Sequence, residues 1–165
     1  MMEKKYKLTE EAINVDGRTL YRIEALKDFS YVKKGDKGGF VENEKNLSQR
    51  GDCWVYENAK VYGNAEVYDD AKVYGNAWVY ENAKVCGDAV VYCDAIVFGN
   101  AQVCGYAWVY DKAKVYDNAQ VCGDAMVYGN AEVYDDAKVF EEAKIYGNAK
   151  VSGDARVYGK AKICG

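Results

Sequence analysis

Hydrophobic and polar positions alternate along most of this chain in a strict six-residue cycle. Val or Ile stands at Val55, at Ile163 and at every sixth residue between them, nineteen times in all. An Ala precedes each of these positions by two residues, except that Cys53 stands before Val55. Alternation is the period of a β-strand, so the Ala and the Val or Ile point to one side and their neighbours to the other. We therefore predict that the Ala and Val columns form the core.

Each cycle ends in two residues that favour a tight corner. They are drawn mostly from Gly, Asn, Asp and Glu, as at Gly63 and Asn64, and Gly and Asn tolerate the positive φ that such corners need. Hairpins built from these short, evenly spaced strands would not keep every Val inside. A climbing coil does so, because each strand stacks on its equivalent one turn later. The pattern predicts an all-β fold, a single-stranded parallel β-helix.

Deviations from the repeat indicate how many hexapeptides complete one turn. Cys replaces the usual Tyr at Cys86, Cys104 and Cys122, which are eighteen residues apart, and Trp54 and Trp108 are separated by three times that spacing. We infer three hexapeptides per turn and a triangular prism. The repeats then make about six coils, and at about 4.8 Å per stacked strand the rod is roughly 30 Å long.

The beginning of the chain follows a different pattern. Strand-like runs at 5–9 and 18–26 are joined across an Asp-Gly pair, which is a strong hairpin signal. Leu47 resembles a repeat position, but eight residues instead of six separate it from Val55. We predict two regions, listed by their bounds: residues 1–52, an N-terminal β-hairpin cap and lead-in to the first coil, and residues 53–165, the hexapeptide-repeat β-helix.

The two ends of the predicted rod differ in their cover. The cap would protect the open strand edge of the first coil, which would otherwise recruit other strands. At Cys164 and Gly165 the chain is still inside the repeat. We therefore expect that a C-terminal edge is able to dock end-to-end against a second copy.

Composition excludes several classes of function. Net charge is −4, so an acidic rod is a poor partner for nucleic acid. No run is apolar enough for a signal peptide or a membrane span, and we expect a cytoplasmic protein that does not bind membranes. Four of the six Cys occupy the outward Tyr position of a repeat, which favours reduced thiols over a disulfide framework.

The repeat and its leader resemble a known family. The phrase AxVYGN, with Ala before the aliphatic residue and a two-residue corner after it, resembles the hexapeptide-repeat left-handed β-helix superfamily. The segments LYRIEALKDF, KKGDKGGFVE and NLSQRGDCWVYENAKVYGNA resemble YdcK-like bacterial and prophage proteins, which are often labelled acyltransferases. The resemblance implies a left-handed coil, and the wider superfamily includes homotrimeric acetyl- and acyltransferases and γ-type carbonic anhydrases.

The chain departs from the catalytic members of that superfamily in one residue type. The acyltransferases that it resembles use His as a general base, because imidazole is near half-ionised at neutral pH, and the carbonic anhydrases bind their metal through His. This chain contains no His, and no long loop interrupts its repeats. We therefore predict no catalytic residue, no metal site and no cofactor, and the resemblance assigns no cofactor-binding residue.

Outward residues eighteen positions apart stack into columns on three faces, and one face combines a Tyr column with large apolar neighbours. Aromatic residues on successive strands support one another without any ligand. A wide exposed apolar area, however, marks an interface in most soluble proteins. We name this candidate interaction face the tyrosine strip, and its members are Trp54, Tyr56, Tyr74, Val90, Tyr92, Trp108, Tyr110, Met126, Tyr128 and Tyr146.

Three further columns have a simple structural interpretation. The column of Cys86, Cys104 and Cys122 is able to pair oxidatively, but three sulfurs in a line do not form a tetrahedral metal cage. The Asn column that contains Asn64 and Asn82 is expected to form hydrogen bonds along the rod. The column of Asp52, Asp70 and Asp88 offers oxygen ligands for a hard cation, but solvated corners are the simpler interpretation.

Three functions remain open at this point. We favour a non-catalytic binding or assembly module that self-associates as a trimer through a prism face or binds an unidentified protein. The alternative is an unconventional or degenerate acyltransferase that uses acetyl-CoA. The third is a protein that sequesters a small molecule or a host partner.

Overall fold

The computed structural model describes residues 3–165. Three longer strands come first: β1 (Tyr6–Val15), β2 (Arg18–Ala25) and β3 (Lys37–Val41), followed by a short 3₁₀ helix, Glu44–Asn46. From Trp54 onward every hexapeptide contributes one strand of two or three residues and one corner. The chain therefore folds as the six-residue cycle predicts.

The short strands stack into three parallel sheets, one for each face of the prism. The first face, which β1, β2 and β3 extend, contains β5 (Lys60–Val61), β8 (Trp78–Val79), β11 (Ile96–Val97), β14 (Lys114–Val115), β17 (Glu132–Val133) and β20 (Lys150–Val151). The second face contains β4 (Trp54–Val55), β7 (Lys72–Val73), β10 (Val90–Val91), β13 (Trp108–Val109), β16 (Met126–Val127), β19 (Lys144–Tyr146) and β22 (Lys162–Cys164). The third contains β6 (Glu66–Val67), β9 (Lys84–Val85), β12 (Gln102–Val103), β15 (Gln120–Val121), β18 (Lys138–Val139) and β21 (Arg156–Val157).

Strand register confirms that three hexapeptides complete one turn. Val91 pairs with Val109 in the next turn and with Val73 in the previous one, each eighteen residues away. Backbone N–H groups of one turn donate to carbonyl groups of the next along the whole coil, for example from Tyr92 to Val109 at 3.0 Å. The prediction of a parallel β-helix is confirmed.

The core consists of the two predicted columns. Every Ala from Ala59 to Ala143 and every Val or Ile from Val55 to Ile145 is at most 1% exposed. Burial of one such branched side chain contributes about 1.5–3 kcal/mol, and this contribution recurs at each strand. Small aliphatic side chains therefore fill the interior of the prism along these turns.

The structure contains about seven turns, one more than the strict repeat supplies. Val41 pairs with Val61, and Leu47 forms a parallel bridge with Val67. Both residues are fully buried. The lead-in thus already forms the first turn, although its spacing differs from six residues.

Asn46 compensates for the irregular spacing in that first turn. Its side-chain oxygen accepts hydrogen bonds from the backbone N–H groups of Glu42 and Asn43, and its Nδ2 donates to the carbonyl groups of Gly63 at 3.1 Å and Ala65 at 2.9 Å. The side chain is fully buried. It therefore bonds backbone groups of the next turn where the extra residues prevent a regular strand from doing so.

The hairpin of β1 and β2 covers the start of the coil. Tyr6 is fully buried and donates its hydroxyl hydrogen bond to the carbonyl oxygen of Leu47. β2 pairs with β3, and β3 in turn pairs with β5, so the hairpin continues the sheet of the first face. A second small apolar cluster, Leu20 with Phe40 and Tyr62, fixes the hairpin on that face.

Corners are closed by residues with positive φ. Gly occupies many of them, and acidic residues such as Asp69, with φ of 56°, occupy others. The carboxylate at such a corner accepts a hydrogen bond from the backbone N–H eighteen residues later, as from Gly87 to Asp69 at 3.1 Å and from Gly129 to Asp111 at 3.0 Å. This bond to the next turn accompanies the left-handed conformation that L-residues rarely adopt.

Among residues 3–165, no helix has the length and apolar character needed to cross a membrane.

Candidate interaction face

The tyrosine strip lies on the second face of the prism, as its spacing predicts. Val90, Trp108 and Met126 are outward residues of β10, β13 and β16, and strand register places them directly above one another. The Tyr that follows each strand forms a parallel column. Rings of Tyr92 and Tyr110 stack at 4.8 Å between centroids, and the stack continues through the residues Tyr128 and Tyr146 at 4.9 and 5.2 Å.

Trp54 is an exception, and its assignment to the exposed strip is wrong. Its side chain is only 1% exposed, because the cap lies over it. Phe29 contacts the Trp54 ring edge-on at 5.2 Å, and Tyr6 does so at 6.0 Å. The strand alternation that places Trp54 outward is correct, but its surface belongs to the packing between the cap and the coil.

Tyr56 marks the transition between the covered and the exposed parts of the strip. Its ring packs against the buried core near the cap and stacks on Tyr74 at 4.3 Å. Burial raises the pKa of the Tyr56 hydroxyl, and the neighbouring Tyr74 adds to this effect. The exposed strip therefore begins in practice at Tyr74.

An open groove of about 700 Å³ lies on the strip between the two Tyr stacks. Tyr74 and Tyr92 form its two aromatic walls, and Val90 and the indole of Trp108 supply further apolar surface. The side chain of Val90 is smaller than the aromatic or long side chains at the same outward position, which leaves space there. Trp108 is 41% exposed, which is high for so large an apolar side chain.

The polar groups at the groove come from its corners. Cys93 stands where most repeats have Gly or an acidic residue, with φ of 60°, and its thiol is exposed. Glu57 lies at the equivalent corner two turns earlier in the chain and also lines the groove. The groove thus combines apolar walls with one thiol and one carboxylate at its corners.

The first face carries a second aromatic ladder that sequence reasoning did not select as a site. Rings of Tyr62, Tyr80 and Phe98 stack at 5.1 Å, and the stack continues through Tyr116 and Tyr134. This ladder has no gap, and the hairpin covers its beginning, where Tyr62 is only 4% exposed. The sequence signal for this covered region was Trp78, a large aromatic residue that packs against the cluster of Leu20, Phe40 and Tyr62. Ring stacking is therefore a property of the fold, whereas the groove is particular to the tyrosine strip.

Burial raises the pKa of several tyrosine hydroxyls in the two ladders. Burial raises the pKa of Tyr62 to about 12, with a further contribution from Tyr80. Burial and the flanking Tyr92 and Tyr128 raise the pKa of Tyr110 to about 12. Tyr62 and Tyr110 therefore stay neutral over the physiological range and act as apolar rings with a hydrogen-bonding edge.

The Asn column forms the hydrogen-bonded ladder that its spacing predicts. Side-chain Nδ2 of Asn64 donates to Oδ1 of Asn82 at 3.2 Å, and the same bond repeats upward through Asn100, Asn118 and Asp136 at 3.1–3.2 Å. In the other corner column, Oδ1 of Asp70 accepts a bond from the backbone N–H of Asp52 at 2.9 Å. Within the described residues, no group of three or more His, Cys, Asp or Glu is arranged to hold a metal ion.

Comparison with known proteins finds a family model and a relative that each match part of this chain. The YdcK β-solenoid repeat model matches residues 119–135 and 143–159. A protein of Escherichia coli K12 described as "Uncharacterized acetyltransferase YdcK" is 38% identical over 69 residues. That match covers 36% of this chain and 21% of the relative, so only about a fifth of the relative's length is represented here. The resemblance to YdcK-like β-helix proteins is confirmed.

Proposed function

Because the repeats of this chain are those of a YdcK-like β-solenoid, we propose that the protein is a non-catalytic binding or assembly module that self-associates through the tyrosine strip. The observation that carries the proposal is the exposed Trp108, which lines the groove together with Val90 and has Met126 beside it in the next turn. Contiguous apolar surface of this kind marks interfaces in soluble proteins.

Comparison of the two aromatic ladders supports this assignment. The ladder on the first face has continuous ring stacking, so strand support alone accounts for it. The tyrosine strip has an open groove between Tyr74 and Tyr92, and support of strands does not require such a gap. The groove offers space that a partner surface is able to fill, and the exposed indole of Trp108 offers apolar area that the partner is able to cover.

A second copy of this chain is the occupant that fits best. The strip is one regular face of a prism, and closed rotational symmetry turns the same face of every subunit toward a common axis, where neighbouring subunits meet. The superfamily that the chain resembles implies three-fold assembly. In a trimer, Trp108 of each subunit would become buried, and the loss of its exposed area would contribute to the stability of the assembly.

Sedimentation of purified protein tests self-association directly. We expect the unmodified chain to form a trimer, and the double variant Trp108→Lys and Tyr110→Glu to sediment as a monomer with unchanged β-structure. The matched control is Gln102→Lys and Gln120→Glu, which places the same charges on the third face. A monomeric wild type, or equal effects of both pairs of substitutions, would contradict the proposal.

Acyl transfer is the second candidate, because the E. coli relative is described as an acetyltransferase. A transferase of this chain would have to work without His and would place acetyl-CoA between subunits, where Glu57 and Cys93 border the groove. Incubation with labelled acetyl-CoA and a mixture of amine and hydroxyl acceptors distinguishes the candidates. Turnover that is lost in Glu57→Gln or Cys93→Ser, with assembly unchanged, would favour the transferase.

A further inference from the structure

The three cysteines on the third face form a column with fixed spacing. Strands β9, β12 and β15 pair in parallel register, so Cys86, Cys104 and Cys122, which directly follow them, lie above one another. Backbone hydrogen bonds continue through these positions, from Cys86 N–H to Val103 and from Cys104 N–H to Val121, both at 2.9 Å. Adjacent cysteines are therefore one strand spacing apart, about 4.8 Å.

The surroundings of the column suit soft metal ions, which prefer sulfur ligands. All three thiols are free and half-buried. An aromatic residue stands in the same column at each end, Tyr68 below and Phe140 above, and Phe140 stacks on the next ring at 5.3 Å. None of the Asp and Glu residues shares the column, although the carboxylate of Asp69 lies at the neighbouring corner, where it accepts a hydrogen bond from the backbone N–H of Gly87 at 3.1 Å. Thiol ligands between apolar flanks favour soft cations over hard ones.

Metal ions bind the thiolate form of Cys, so an ion that binds two of these cysteines displaces their thiol protons.

Three sulfurs in a line do not form a tetrahedral cage, but a linear site needs only two. A thiolate–metal bond of about 2.3 Å gives a span of roughly 4.6 Å between two sulfurs on opposite sides of one ion, which matches the strand spacing of about 4.8 Å. Soft monovalent cations with a filled d shell accept this linear geometry and prefer thiolate ligands. We propose that adjacent cysteines of this column bind one Cu(I) or Ag(I) ion in linear two-coordinate form.

Cys104 is the residue on which the site depends. It belongs to both adjacent pairs, Cys86 with Cys104 and Cys104 with Cys122, whereas the two outer sulfurs are two strand spacings apart and too distant to share an ion. Binding releases the thiol protons of the occupied pair to solvent and changes no oxidation state. The column therefore holds one ion, since a second would need Cys104 again.

Titration of the reduced protein with Ag(I), which is redox-inert, tests the site. We expect one ion per chain by native mass spectrometry, together with a thiolate-to-metal absorption band and a rise in melting temperature. Cys104→Ser should lose the tight site and its absorption band. Cys86→Ser and Cys122→Ser should each retain one ion, because one adjacent pair remains in each variant.

Two further cysteines provide the controls. Cys93→Ser and Cys164→Ser lie outside the column and should leave the stoichiometry and the absorption band unchanged. If every Cys→Ser variant loses the same small fraction of bound metal, the proposal is overturned and the thiols bind an adventitious ion only. Retention of the tight ion by Cys104→Ser, or by Cys104→Ala with native far-ultraviolet circular dichroism, would overturn it as well.

Discussion

The ammonium nitrogen of Lys5 lies 2.8 Å from the carbonyl oxygen of Cys53, to which it donates a hydrogen bond. It donates a second bond to the carbonyl of Gly51 at 3.2 Å, and the Lys5 side chain is only 1% exposed. Burial lowers the pKa of this ammonium group, and the Cys53 sulfur opposes that effect. A single cation from the cap thus satisfies backbone acceptors of the first turn.

Lys5→Met should therefore destabilise the protein by about 1–3 kcal/mol, because buried carbonyl groups lose their donor. Equilibrium unfolding in urea measures the change. Lys7→Met is the matched control, since Lys7 is an exposed residue of β1 only two positions later, and its effect should be small. Equal effects of the two substitutions would show that the buried hydrogen bonds of Lys5 contribute nothing to stability.

Inward and outward positions of one strand should differ sharply in their tolerance of charge. Val91 is fully buried, whereas its neighbour Val90 in β10 lies outward on the tyrosine strip. Val91→Asp buries a carboxylate among methyl groups, and we expect loss of the cooperative fold or a large fall in melting temperature. Val90→Asp should melt close to the wild type. Similar melting of both variants would refute the inward assignment of the Val column.

The Asn ladder predicts a dependence on position. Asn100 accepts a bond from Asn82 and donates one to Asn118, whereas Asn64 at the lower end only donates. Asn100→Ala should therefore cost about twice as much stability as Asn64→Ala, with each exposed bond contributing roughly 0.5 kcal/mol or somewhat more. Chemical denaturation of the two variants under identical conditions measures the ratio. Identical losses would mean that stability does not depend on the number of side-chain bonds that each Asn makes.

Alkaline pH should weaken the fold through the ladder phenols. The pKa values of Tyr62, Tyr110 and Tyr116 are raised to about 12, whereas an unfolded chain titrates near the ordinary value of about 10. Since the folded-state pKa is the higher one, this stabilisation is complete below pH of about 10 and is lost as pH rises through about 12. Urea midpoints measured across this window should fall steadily.

Tyr110→Phe provides the control for that pH dependence. The substitution keeps the ring in the stack and removes one titrating hydroxyl. Its urea midpoint should fall less steeply than that of the wild type between pH of about 10 and 12. An unchanged slope in the variant would exclude Tyr110 as a contributor.

Sequence reasoning predicted the core and the columns because both depend on regular periods. Val91 and Val109 had to lie inside and one turn apart once the strand period and the eighteen-residue spacing were known, and the structure places them so. The Asn82 and Asn100 contact follows from the same arithmetic. Local regularity therefore determines which residues meet along the rod.

Features outside the repeat were less accessible to that reasoning. Trp54 has the correct outward direction but is covered by Phe29, a residue from a loop whose path no period determines. The role of Asn46 depends on backbone groups that only the irregular first turn leaves open. The hand of the coil stays a prediction from the family resemblance, because spacing and register are the same for either hand.

The groove between Tyr74 and Tyr92 was also beyond sequence reasoning. Equal spacing along the column predicts an unbroken stack from Tyr56 to Tyr146, and the ring-to-ring contacts divide it at this point. The difference arises from side-chain volumes, because Val90 is small where Lys72 and Trp108 are large on either side. Such volume effects act between neighbouring turns and are not visible in the repeat itself.

The eighteen-residue register also constrains how this chain tolerates changes in length. Deleting one hexapeptide, for example the six residues beginning at Ala95, would leave every Val inside, yet all later residues would move to the adjacent face. Tyr110 would then no longer continue the column of Tyr92, and Cys104 would leave the line of Cys86. Deletion of three consecutive hexapeptides would shorten the rod and keep each face in phase. The core pattern thus survives the loss of any whole hexapeptide, whereas the columns on the faces survive only the loss of whole turns.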